Sequence, residues 1–285
     1  MLIREIWRYR ALLWDLVIQD FRGRYAGSVI GVFWNILQPL AQIFIYAVIL
    51  ARVVGSRIPG RVGFPDVDDP YALSIYICSG LLPWLTLSET LTRNATAFLS
   101  HSNLIKKVSF PHPILVLYQI ISGLITLFIM HVILLLVMLV TGHRLPPCIV
   151  WLPLLYVLQG FMTYGLGLFL ATATAYFRDM LQFVSIALQV WFWMTPIVYF
   201  RELTEKIVSF GPLLLLVNPL YYLSRAFQIL FYENIVYYDF LPQGLWPSQS
   251  SFLPTLGVLL LCGAVFSLLG EMIYLKLKKE LPDQI

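Results

Sequence analysis

Between Arg24 and Arg52 the chain carries no charged residue, and the stretch filling that gap, YAGSVIGVFWNILQPLAQIFIYAVIL, is mostly apolar. A helix rises about 1.5 Å per residue, so some twenty such residues reach across the roughly 30 Å hydrocarbon core of a bilayer. The run is therefore expected to hold a first membrane crossing, over about 29 to 51. Just before it stands a doubly basic turn, Arg22, Gly23 and Arg24. The positive-inside rule holds that end on the cytoplasmic side, and every later segment inherits its direction from this choice.

The rest of the chain repeats the pattern. Of 285 residues, 59% are apolar and only 12% charged, with a mean hydropathy of +0.80, against roughly 25% charged in an ordinary soluble domain. An all-α integral membrane protein is expected, with six crossings at about 29 to 51, 72 to 96, 114 to 141, 150 to 175, 181 to 199 and 252 to 275. The region 207 to 231 is also apolar, but Gly211, Pro212, Asn218 and Pro219 divide it into pieces too short to cross. They read as half-helices dipping back from the outer side, tolerable where protein covers the freed backbone.

Charge supports this parity. With six crossings both termini are cytoplasmic, and Arg4, Arg8, Arg10, Arg22, Arg24, Arg93, Lys106, Lys107, Arg178, Lys276, Lys278 and Lys279 fall on that side, which leaves seven basic residues outside. The net charge of +4 is loop-borne, so it reads as topology rather than as a nucleic-acid surface. No cleavable signal peptide is visible. Residues 2 to 19 read instead as an amphipathic helix lying in the membrane interface, with Ile3, Ile6, Trp7, Leu13, Trp14 and Val17 on one face and Arg4, Arg8, Asp15 and Gln19 on the other.

Most enzymatic chemistry is missing from the chain. No phosphate loop, nucleophile elbow, zinc motif or paired carboxylate site occurs, so the chain is not expected to hydrolyse nucleotide or act as an enzyme, and needs no metal or cofactor of its own. Asp66, Asp68 and Asp69 in the external loop 52 to 71 offer oxygen ligands, but their spacing matches no complete calcium motif. Cys78, Cys148 and Cys262 lie far apart and read as packing residues. Of the four histidines only His131 lies within a crossing, where a hydrogen-bonded packing role is expected.

Three features remain for function. Glu89 and Arg93 stand four apart on one helical face near the end of the second crossing, and are expected to neutralise each other or face a polar cavity. The segment His101 to Pro113 places a short helix, capped by Ser102 or Asn103 and stopped by Pro111 and Pro113, between two crossings, where a partner can push on it. Aromatics make up 15% of the chain, and among them Trp34, Phe44, Trp191, Trp193 and Tyr199 have flat apolar faces with which sugar rings can stack. Trp191 and Trp193 are two apart, about 200° around a helix, so both cannot face one channel.

The order Phe21, Arg22, Arg24, Tyr25, Gly31, Trp34, Pro39 resembles the opening of polysaccharide-exporting ABC-2 permeases, the membrane subunits of O-antigen, capsule and teichoic acid exporters. Further matches follow in order. They are Asn103, Leu104, Ile105, Lys106, Lys107, Val108, Phe110, Pro111; Tyr176, Phe177, Arg178, Asp179; Trp191, Phe192, Trp193, Thr195, Pro196, Ile197, Tyr199; and Asn218, Pro219, Leu220. The external segment 232 to 251 departs from that pattern.

The resemblance implies one membrane domain over 1 to 285. Its parts are an interface helix in 1 to 28, five crossings in 29 to 199 with a coupling helix at about 102 to 110, an external gate region in 200 to 251, and the last crossing and tail in 252 to 285. It implies a homodimer in a bacterial cytoplasmic membrane, working with two copies of an ATPase that binds ATP and magnesium, and exporting a lipid-linked or lipid-anchored polysaccharide. Ser102, Asn103, Leu104, Ile105, Lys106, Lys107, Arg178 and Asp179 would couple to the ATPase, Asn218 and Pro219 would belong to the gate, and the first and fifth crossings of two copies would wall the channel. A permease for a drug or lipid shares this architecture and is the alternative reading. A membrane acyltransferase would need a polar catalytic constellation within its crossings, which the sequence lacks.

Overall fold

The computed structural model describes residues 7–24, 33–45, 71–108, 110–143, 145, 147–199, 211–233 and 252–285. The acidic triplet Asp66, Asp68 and Asp69, the residues Tyr25 and Gly31, and the external segment beyond Glu233 lie outside them. The regular elements among the described residues are all helices, the α-helices being α1 (Arg10–Arg24), α2 (Trp34–Phe44), α3 (Ala72–Ala95), α4 (Ala97–Ser100), α5 (Ser102–Lys107), α6 (Ile114–Val140), α7 (Leu152–Tyr176), α8 (Met180–Trp193), α9 (Gly211–Val217), α10 (Pro219–Gln228), α11 (Phe252–Leu277) and α12 (Leu281–Gln284).

Among the described residues, three helices are long and apolar enough to cross a bilayer: α6, α7 with its 3₁₀ lead-in from Pro147, and α11. They match the expected third, fourth and sixth crossings. From the first, only 33–45 are described, with the 11-residue α2 within them. The second forms as the 24-residue α3, but Ser88, Glu89, Thr92 and Arg93 make it too polar to stand among lipids alone. The fifth differs most from expectation: α8 has 14 residues and ends at Trp193 rather than near 199. At about 1.5 Å per residue this is roughly 21 Å, short of a full crossing. Pro196 explains the stop, since it lacks an amide hydrogen and pushes Thr195 out of the helical region. Ile197 N–H then closes a tight turn on Thr195 O at 2.8 Å.

The broken region forms as expected, as the short helices α9 and α10 hinged at Asn218. Asn218 is extended (φ −85°, ψ 105°), its side chain accepts from Leu220 N–H, and Pro219 opens the next helix. This is the ordinary N-cap followed by proline at the first helical position. At the end of α6, Gly142 takes φ +87°, and His143 N–H reaches back to Met138 O at 2.9 Å. A side chain would be strained there, which is why helices so often stop at glycine.

The amino-terminal helix ends later than expected, and Ile3, Arg4 and Ile6 of its expected faces lie outside the described residues. Arg22, Gly23 and Arg24 form the last turn of α1 rather than a turn outside it, where the arginines complement the helix dipole. Leu13 and Val17 are buried, whereas Trp7 and Trp14, expected on the same face, are exposed. Trp14 sits about 100° around the helix from Leu13, which suffices to separate them.

Two cores stack along the bundle. One joins α3, α6, α7, α8, α10 and α11 around Ile77, Leu81, Leu155, Leu188, Phe227 and Phe252. The other gathers α1, α4, α5, α12 and the adjoining ends of α6, α7 and α11 around Phe98, Ile105, Leu115, Leu168, Tyr274 and Leu281. The helices α7 and α11 touch backbone to backbone. A Cβ built on Gly165 would lie 2.2 Å from Phe266 C, and one on Gly270 would lie 2.3 Å from Gly165 O. Ser267 Oγ donates to Phe161 O at 3.2 Å across the same seam. Small residues permit such approach where lipid supplies no hydrophobic drive. Gly270→Val should therefore destabilise the bundle by about 1–3 kcal/mol or more. Gly257→Ala, on the same helix with nothing near its Cβ, should change the melting temperature of the purified protein little, and equal effects would count against the seam.

Candidate functional site

Four charges tie α1 to α3. Asp20 Oδ2 pairs with Arg24 Nη2 at 3.0 Å, Arg24 Nη1 reaches Glu89 Oε1 at 3.4 Å, and Arg93 Nη2 bonds the other oxygen of Asp20. Asp20 is only 11% exposed. Glu89 and Arg93 were expected to neutralise each other or to face a polar cavity; both line a cavity, and each finds its charge partner on α1 rather than in the other, so two acids and two bases close a neutral group. A buried charge without a partner is costly, and this arrangement leaves none of the four alone.

The charges sit at the edge of a cavity of about 730 Å³. Trp84, Leu85, Ser88, Glu89, Thr92 and Arg93 of α3 line it, facing Ser185, Leu188, Gln189 and Phe192 of α8, Gln42 of α2 and Thr126 and Met130 of α6. The α3 residues follow the i, i+1, i+4, i+5 spacing of a single helical face, and those of α8 the i, i+3, i+4, i+7 spacing. Trp84 stacks on Phe192 with centroids 5.8 Å apart and meets Trp191 edge-on at 6.2 Å. Aromatic planes beside hydroxyl and amide groups form a surface that can hold polar rings by their faces and edges.

Trp191 and Trp193 diverge as their spacing requires. Trp191 is half-buried and its indole Nε1 donates to Asn218 Oδ1 at 2.7 Å, whereas Trp193 is 61% exposed and meets Phe192 edge-on. Tyr199 Oη donates to Trp193 O at 2.7 Å, satisfying one of the carbonyls left open at the end of α8. Trp34 and Phe44 are exposed at the two ends of α2. None of these five lines the cavity; their neighbours Trp84 and Phe192 do.

Asn218 forms a joint. Besides capping α10 and accepting from Trp191, it donates through Nδ2 to Thr195 Oγ1 at 2.8 Å, so one amide links the end of α8 to the broken helix. Pro219 lies against this joint as the first residue of α10. Asn218→Leu keeps the volume but strands Trp191 Nε1 and Leu220 N–H, each at a cost of about 1–3 kcal/mol. The expected result is a lower melting temperature and weaker protection of the α8 end from proteolysis; unchanged behaviour would remove the joint.

The helix α5 stops at Lys107, with Val108 extended. Ile105 is buried in the second core and Leu104 packs against it, while Asn103, Lys106, Lys107 and Val108 are exposed and Ser102 is half-buried. Arg178 and Asp179 are exposed in the turn between α7 and α8. Tyr176 Oη, just before that turn, donates to Leu277 O at 2.8 Å and the ring packs on the same core as Ile105. Both segments therefore adjoin one packed unit.

Two histidines show contrasting environments. His131 is stacked between Phe227 and Phe231 at 5.2 and 5.1 Å, with Nδ1 3.0 Å from Leu127 O and 3.2 Å from Tyr156 Oη. This is the packing role expected for it. His112 lies edge-on to Phe98, Phe110 and Tyr274. Burial, and then the nearby Lys278 charge, lower its pKa below the ordinary 6.5. A depressed pKa means stability present above the unfolded value and lost as pH falls through the folded one. Melting temperature should thus drop on acidification below about pH 6.5, less steeply in His112→Phe; equal slopes would contradict the assignment.

The sequence model of the family described as ABC-2 type transporter matches residues 11–232. The chain is 31% identical over 234 residues to the O-antigen export system permease protein RfbA of Myxococcus xanthus, covering 82% of this chain and 85% of that protein. It is 26% identical over 274 residues to a protein of the same description from Klebsiella pneumoniae, covering 93% of each.

Proposed function

Since the chain belongs to the ABC-2 type transporter family, a multi-pass membrane permease whose kind works with ATPase subunits, we propose that it exports a lipid-linked or lipid-anchored polysaccharide across the bacterial cytoplasmic membrane. The observation that carries this reading is the cavity between α3 and α8, where Trp84 and Phe192 stand among Ser88, Thr92, Ser185 and Gln189. A moving polymer needs many weak contacts rather than one tight site. Hydroxyls, amides and aromatic faces supply such contacts to sugars.

Two copies of the chain would face each other to complete the path, and two ATPase subunits carrying ATP and magnesium would dock on the exposed face of α5 and on the Arg178–Asp179 turn. Nucleotide binding would then shift α5, α1 and the second core together. A six-crossing topology would put both termini in the cytoplasm and 201 to 251 outside, so a cysteine replacing Ser248 should react with an impermeant reagent added to intact cells and one replacing Lys278 should not. The reverse pattern would overturn the topology.

Deleting the gene should strip glycan from the cell surface while lipid-linked glycan accumulates inside. Unchanged surface glycan, with altered sensitivity to apolar toxins, would favour the drug or lipid alternative.

A further inference from the structure

Resting on the reading of the cavity as a polysaccharide path, we propose that its cargo is an uncharged glycan rather than a polyanionic one. Arg24, Glu89 and Arg93 line the cavity, and with Asp20 they form two acid–base pairings whose sum is zero. Arg24 is shared between Asp20 and Glu89, and Arg93 is held by Asp20, so both guanidinium charges are balanced within the group. Among the described residues, the other polar groups of the lining are Gln42, Ser88, Thr92, Thr126, Ser185 and Gln189, all uncharged.

An acidic glycan brings about one negative charge per sugar into a partly dehydrated space. Taking a carboxylate from water without a counter-charge is among the most expensive transfers a protein can impose. A path for polyanions is expected to carry rings of free Lys or Arg, and here the basic side chains are neutralised internally. A neutral sugar meets no such cost. Its hydroxyls exchange water for serine, threonine and glutamine, and its apolar ring face exchanges water for Trp84 and Phe192.

Glu89 gives the handle for a test. Its side chain is 48% exposed and it contacts only one of the two arginines, so Glu89→Gln should leave the Asp20 pairings in place and give the cavity one net positive charge. The permease, purified with its ATPase in lipid nanodiscs at low ionic strength, is titrated with a dextran oligosaccharide and with an α-2,8-linked sialic acid oligomer of equal length. Dextran should bind at least about tenfold more tightly to the unaltered protein, and in Glu89→Gln the preference should shrink about fivefold, the worth of one unit charge at close range in water. Equal or tighter binding of the sialic acid oligomer to the unaltered protein overturns the inference while leaving the polysaccharide reading intact. An unchanged preference in Glu89→Gln overturns the charge pairing as its cause. If neither oligomer binds, the polysaccharide reading fails and this inference with it.

Discussion

Asp20→Ala is expected to be the most damaging single substitution at the mouth of the cavity. The carboxylate answers both Arg24 and Arg93, and its removal leaves two guanidinium groups with only the half-exposed Glu89 between them. Breaking a buried ion pair from one side costs about 3–5 kcal/mol, because the surviving charge stays buried. The loss should appear as a fall in melting temperature on the order of 10 °C in detergent, at about 2–4 °C per kcal/mol. It should also appear as faster proteolysis within α1, the helix that these pairs fasten to α3. Asp20→Ala combined with Arg93→Leu should recover part of the loss by removing one stranded charge. If the double variant is as damaged as the single one, the pairing is not what holds α1.

The second large effect is expected at α5. Replacing Lys106 and Lys107 by Glu reverses the charge of an exposed surface, so the permease itself should fold normally while its complex with the ATPase is lost or weakened by tenfold or more in affinity. Ile105→Asp is a poor test of docking, since Ile105 is 6% exposed in the second core and a buried unpaired carboxylate would unfold the region first. Co-purification read beside melting temperature separates the two: the double glutamate should change only the first, and the aspartate both. Normal complex formation by the double glutamate would move the docking surface away from α5.

What the sequence made legible follows from how physical signals are written in it. Long uncharged runs announce α6, α7 and α11, because a helix among lipids cannot be built from anything else. Pro219 beside Asn218 announces the break, because capping and the missing amide act locally. The short α8 was harder to see: Trp191 to Tyr199 is as apolar as a crossing, and only Pro196 marks where it turns aside. The pairing of Glu89 and Arg93 with α1 could not be read from one helix, since the partners stand far off in the chain. Trp84 was overlooked although its signal was present. Ser88, Glu89, Thr92 and Arg93 recur at helical spacing after it, and a polar stripe on a helix in this setting marks a face turned away from lipid.

If the chain exports a glycan as proposed, passage of the polymer depends on ATP. The direct measurement is reconstitution of the permease with its ATPase in sealed vesicles oriented so that the ATPase faces the bath, with the lipid-linked glycan supplied on that side. ATP should drive the glycan to a protected lumen where an added glycosidase cannot reach it, and Trp84→Leu, which removes the flat face on Phe192, should slow delivery while assembly stays intact. Delivery without ATP, or ATP turnover with the glycan still fully open to the enzyme, would contradict it.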